Sequence, residues 1–145
     1  MISQEKVKEC IKLYQLHRYK EHESYLQQYS AINRISSLVY RATWGKLIDG
    51  STHQHQRRVK KEAKRQMVIK IRIEIDVILQ LTDFHSIWSH IEKLRVDGYG
   101  DLAVYDCALR LASTKRIYPT TYVYIHQESK TGAETLLQRS LTKER

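Results

Sequence analysis

The sequence predicts a mainly α-helical, compact domain, and three observations carry that reading. Glycine and proline number only 5 and 1 in 145 residues, so little in the chain interrupts a helix. Apolar residues recur at spacings of three and four along most of its length. Hydrophobic residues at 41% and charged residues at 28% permit a packed core and argue against wholesale disorder. The length suits a single helical domain, 1–145.

Ser3 can accept an orphan amide at the start of a first helix, with Lys6 where a full capping box wants Glu or Gln. Val7, Cys10, Ile11 and Tyr14 form its apolar stripe. A second stripe runs through Tyr25, Leu26, Tyr29, Ile32, Ile35, Leu38 and Val39, with a break placed near Tyr19 to Glu23. Trp44 to His55, containing Gly45, Asp49-Gly50 and Ser51-Thr52, reads as a connecting loop. From 67 to 77 two periods compete. Ile69, Ile71, Ile73, Ile75 and Val77 alternate with charges as in a strand, while Val59, Ala63, Met67, Ile71, Ile75 and Leu79 step by four. The helical reading is adopted, because it continues the preceding pattern and adds Lys70–Glu74 and Arg72–Asp76 pairs at i,i+4. Thr82 or Asp83 caps the next helix, which carries Phe84, Ile87, Trp88, Ile91 and Leu94. Another follows over Leu102 to Ala112. Tyr122 to Ile125 is the one short strand candidate, and Lys130-Thr131-Gly132 leads into a last helix using Ala133, Leu136 and Leu137.

The formal charge is +9. Over half of it lies in Arg57, Arg58, Lys60, Lys61, Lys64 and Arg65, opposed there only by Glu62. Such a run attracts polyanions through counterion release, which points to nucleic acid as the partner and leaves solubility or an acidic protein partner as the other accounts of the charge. No segment approaches the roughly 18 apolar residues of a membrane span, so no membrane partner is expected. Cys10 and Cys107 form a lone distant pair without a secretory start. Both are read as reduced, with Cys107 buried, in a cytoplasmic protein.

The sharpest local signal is Leu94 to Ala103, where an apolar helix stops, Gly98 and Gly100 bracket Tyr99, and another helix begins. Glycines permit a tight left-handed turn, and amides at the new helix start can point at a phosphate. Tyr99 either folds between the two helices or presents its ring to a sugar. The stretch from 91 to 112 resembles the helix-hairpin-helix motif of DNA glycosylases, endonucleases and repair scaffolds. Gly98 and Gly100 match its glycine pair, Tyr99 its central apolar position, and Leu94, Leu102 and Leu109 its packing positions. Asp97 and Asp101 depart from it. The resemblance implies sequence-nonspecific grip on backbone phosphates and turn carbonyls that can hold a monovalent cation at Gly98–Gly100.

Further segments are similar to an uncharacterised family of small bacterial and phage proteins. They are His55-Gln56-Arg57-Arg58, Gly98 to Arg110 with its Tyr-Asp-x-Ala-Leu-Arg stretch, Tyr124-Ile125-His126 and Gly132-Ala133. This similarity implies a shared fold and assigns no activity.

Polar residues that can carry chemistry are His53 and His55 with Arg57 and Arg58, Tyr105 with Asp106, and His126 near Lys130. A His-x-His pair chelates a transition metal only with further ligands, for which Asp106 and His126 are candidates. No spacing is diagnostic, and no metal is assigned. As an enzyme, the chain would use His55 or His126 for proton transfer, Arg58 for a phosphate and Asp106 to orient an imidazole or act as base. Thr131-Gly132 at a helix start would offer a further phosphate site.

The leading expectation is a sequence-nonspecific DNA-binding domain. Its contacts would come from Gly98, Tyr99, Gly100, Arg57, Arg58, Lys60, Lys61, Lys64, Arg65 and Lys130. The alternatives are a glycosylase-, lyase- or nuclease-like enzyme with a pocket of His55, Arg58, Asp106 and His126, and a small protein-binding adaptor or inhibitor. The residues leave catalysis and simple binding both open.

Overall fold

The computed structural model of the chain describes residues 2–17, 19–122, 124 and 127–137. These fall into two units, one of Met1–Glu23 with Tyr124–Arg145 and one of Ser24–Val123. Helices supply nearly all the regular structure: α1 Gln4–His17, α2 Tyr19–Ser30, α3 Ile35–Trp44, α4 Lys61–Gln80, α5 Phe84–Leu94, α6 Asp101–Ser113 and α7 Gln127–Leu137. No β-strand occurs among the described residues, and the only pairing there is an isolated bridge between Lys46 and Thr52. Tyr122 and Tyr124 are not in a strand, and Val123 and Ile125 lie outside the described residues.

In the first unit, α1 begins where Ser3 predicts, with the Lys6 amide donating to Ser3 Oγ at 3.3 Å. The helix α7 starts at Gln127, earlier than expected. Thr131 and Gly132 therefore lie inside it. Their amides belong to the helix interior, so a phosphate site at a helix start there is ruled out.

The second unit is a helical core organised around α6. Cys107 to Ser113 are all buried, so this stretch of α6 is enclosed on every side. Leu38, Val39 and Ala42 of α3, Met67, Ile71 and Ile78 of α4, and Phe84, Ile87 and Ile91 of α5 complete the core. Ala103, Ala108 and Ala112 keep the surface of α6 low where its neighbours approach.

Three sequence expectations meet this packing differently. The stretch 67–77 is helical, with Met67, Ile71 and Ile75 buried while Ile69, Ile73 and Val77 stand exposed. Tertiary burial follows the four-residue step, and β-branching yields to it. The stripe from Tyr25 to Val39 is not one helix. It divides at 31–34, where Asn33 is a residue type of low preference for helix interiors. Asp83, the second of the two proposed caps, starts α5: its carboxylate accepts from the Ser86 amide at 2.9 Å and the Ser86 hydroxyl at 2.6 Å. No helix among the described residues is long and apolar enough to cross a membrane.

Candidate functional site

The site is built on a loop that one glycine makes possible. Gly45 ends α3 with φ +68°, a left-handed conformation that an L side chain adopts only with strain. A Cβ there would sit 2.3 Å from Gln56 Cγ, so glycine is also the only residue that lets Gln56 pack against the backbone. The loop then pairs Lys46 with Thr52, and the His53 amide donates to the Gly45 carbonyl at 2.8 Å. His53 next begins a 3-10 turn, Gln54–Gln56, that presents both histidines beside α6.

Asp106 of α6 receives this turn. Its Oδ2 lies 3.1 Å from His55 Nδ1 and accepts from Gln56 Nε2 at 3.5 Å. The His53 and His55 rings meet edge to face at 4.6 Å, and His53 also lies against Tyr25 at 4.9 Å. One ring nitrogen from each histidine and one Asp106 oxygen all fall within 4.8 Å of one another. Ligand atoms about 2.0–2.2 Å from a common ion lie roughly 3 to 4.4 Å apart, so a small inward movement turns this trio into a metal-binding set. The Asp106 side chain is 12% exposed and the His55 side chain 42%, which leaves the open side of the trio accessible to solvent.

Behind Asp106 stands Arg110, fully buried one turn further along α6. Its Nη1 donates to the Ala42 carbonyl at 3.0 Å, its Nε donates to the Tyr25 hydroxyl, and its Nη2 lies 3.7 Å from Asp106 Oδ2. Burial acts to lower the guanidinium pKa, but Tyr25 and Asp106 outweigh it and hold the group cationic. Gln56 Oε1 and Arg110 Nη2 are buried without a hydrogen-bond partner among the described residues. Beneath the site, burial pushes the Cys107 thiol up to about 11, so Cys107 is an inert core residue and no nucleophile. Cys107 is buried as the sequence predicts.

Of the four residues expected to form a pocket, the structure joins His55 and Asp106. Arg58 is exposed and makes no hydrogen bond or ion pair to either. His126 lies outside the described residues. Tyr105 turns away from the pair and stacks edge to face on Phe84. His53, Gln56 and Arg110 complete the arrangement. Arg110 carries the clearest overlooked signal: an arginine set between Leu109 and Leu111, four residues after Asp106.

The basic run also divides. Arg57, Arg58 and Lys60 precede α4, while Lys61 and Arg65 lie exposed on its first turns. Lys64 departs from the expected set: it is buried, with Nζ 5.3 Å over the Trp44 ring, and burial lowers its pKa. Its charge is used inside the fold. Lys130, on α7, pairs with Glu134 at 3.8 Å.

The glycine turn between α5 and α6 is held by a backbone hydrogen bond across it. Gly98 takes φ +85° and the Tyr99 amide donates back to the Val96 carbonyl at 3.2 Å. Tyr99 takes the inward of its two orientations: it is 1% exposed, and its hydroxyl donates to the Thr43 carbonyl at 2.8 Å. It is therefore unavailable to a nucleic acid. Asp101 opens α6 and pairs with Arg95, so its charge serves the helix start. Gly98 and Gly100 remain exposed, lining a shallow groove of about 470 Å³ with Arg95, Val96 and Asp97.

Comparison of the chain with protein-family models, curated proteins and solved structures finds no match.

Proposed function

We propose that this protein is a nucleic-acid-processing enzyme of the nuclease-like class, acting at the centre formed by His53, His55 and Asp106. The observation that carries the reading is the convergence of their three ligand-competent atoms within 4.8 Å. A divalent first-row transition ion bound there supplies Lewis-acid activation of a phosphate oxygen and of water. The protein's own groups then hold and orient. Arg110 and Gln56 fix the Asp106 carboxylate from the buried side. Tyr25 and the Gly45–His53 backbone bond fix the first imidazole. Exposed Arg57, Arg58, Lys60, Lys61 and Arg65 follow the histidines directly in sequence and draw a polyanionic strand toward them. In the reaction, water oxygen bonds to phosphorus, the ester P–O bond breaks, and the water proton passes to the departing alkoxide.

The test is incubation of the full chain with labelled single-stranded, duplex, nicked and abasic DNA and with RNA, each with Mn²⁺, Zn²⁺, Mg²⁺ or EDTA. Cleavage that requires a transition ion and falls at least tenfold in His55→Ala is the expected result. Absence of product from every substrate under every metal condition overturns the reading.

A second reading, sequence-nonspecific DNA binding without catalysis, draws support from the exposed cations and the open groove at Gly98 and Gly100. Duplex affinity at low salt that survives His55→Ala, with no cleavage by the wild-type chain, favours it.

A further inference from the structure

On the side of α4 turned away from the core stand Ile69, Ile73 and Val77, which are 61%, 75% and 48% exposed. At about 100° per residue the three fall within an arc of roughly 80° centred on Ile73. Isolated exposed apolar residues are ordinary, but a contiguous helical stripe of them marks a surface that another surface covers.

The charges flanking this stripe identify what covers it. On one flank lie Arg72 and Asp76, and on the other Lys70 and Glu74. Each flank thus places a cation toward the N-terminal end of Ile73 and an anion toward the C-terminal end. The i,i+4 pairs expected within the helix do not form: Glu74 instead meets His90 Nε2 at 3.3 Å. Lys70, Arg72 and Asp76 have no ion-pair partner among the described residues. A second α4 lying antiparallel, related by a twofold axis at Ile73, brings Arg72 of each copy against Asp76 of the other on the flank that these two residues share. Parallel packing would instead set the Arg72–Asp76 flank of one copy against the Lys70–Glu74 flank of the other, where Glu74 is already paired with His90. Self-complementarity of this kind is what an isologous interface requires.

We propose that this face of α4 is the interface of a symmetric antiparallel homodimer, with Ile73 at the dyad and Arg72 of each copy paired with Asp76 of the other. The inference stands apart from the catalytic reading, because it uses none of the residues of the His53–His55–Asp106 centre. Lys61 and Arg65 lie toward the N-terminal end of α4, clear of the dyad.

Sedimentation velocity on the full chain across the micromolar range tests it. The wild type should sediment as a dimer and Ile73→Asp as a monomer with unchanged helical circular dichroism, since Ile73 is 75% exposed. Arg72→Glu alone should weaken the dimer about tenfold by setting acid against Asp76, and adding Asp76→Arg should restore it. In a Cys10→Ser background, Ile73→Cys should form an interchain disulfide on oxidation. A wild type that remains monomeric throughout this range, or a dimer that Ile73→Asp leaves intact, overturns the proposal.

Discussion

His55 and Asp106 are 51 residues apart in sequence, yet His55 Nδ1 lies 3.1 Å from Asp106 Oδ2. The pair ties the 3-10 turn after the Gly45 loop to the most deeply enclosed helix of the unit. Arg110 supports it from below, joining Asp106, Tyr25 and the end of α3 in one buried polar network.

That network makes Arg110 a strong determinant of stability. Arg110→Met removes the buried cation and leaves the Ala42 carbonyl and Asp106 without it, at a cost of about 3–5 kcal/mol. Chemical denaturation of the two proteins measures the difference. A loss below about 1 kcal/mol would show that Arg110 is dispensable to the fold.

Gly45→Ala should be nearly as damaging. The left-handed backbone costs about 1–2 kcal/mol for a residue with a Cβ, and the new methyl meets Gln56 at 2.3 Å. Because Gln56 belongs to the histidines' turn and donates to Asp106, the same variant should lose transition-metal affinity. Calorimetric titration with Zn²⁺, on protein shown folded by circular dichroism, checks this.

Tyr99→Phe separates a structural role for the glycine turn from a binding role. It deletes the bond to the Thr43 carbonyl and should lower stability by about 1–2 kcal/mol. Duplex affinity should be unchanged, because the ring is buried. A fluorescence-anisotropy titration showing weaker binding at equal stability would contradict this placement.

Charge reversal of Lys61 and Arg65 should weaken binding about equally across unrelated duplexes and flatten the salt dependence. Lys64→Met should instead change the melting temperature and leave the salt slope alone, since that cation lies under the surface against Trp44. Salt titrations of the three proteins distinguish the two classes of lysine.

The thiols should differ in reactivity. Cys10 is exposed, whereas Cys107 is buried and its thiol is held up at about 11. At pH 8 a disulfide reagent should modify one thiol in the native chain and two after denaturation. The Cys107 thiol is protonated in both states below its unfolded value near 9.0, so its contribution to stability is complete there. It is lost as pH rises from 9 through about 11, and Cys107→Ala should remove that part of the alkaline destabilisation.

Local patterning made much of the helical architecture legible. Four-residue apolar steps marked α4 despite its β-branched residues, and Ser3 and Asp83 marked helix starts through side chains that cap their own amides. The sequence also held His55 and Asp106 as candidates, because imidazole and carboxylate chemistry is visible in residue type alone. What it could not rank was proximity. The approach of Asp106 to the His53–His55 pair, the exposure of Arg58, the burial of Lys64 and the inward turn of Tyr99 each depend on residues distant in sequence. Gly45 shows the reason. Its freedom to turn left-handed is a property of one residue, but its necessity comes from Gln56 packing where a side chain would stand. Short-range periodicity therefore determined the helices, while long-range packing decided which polar groups share a site.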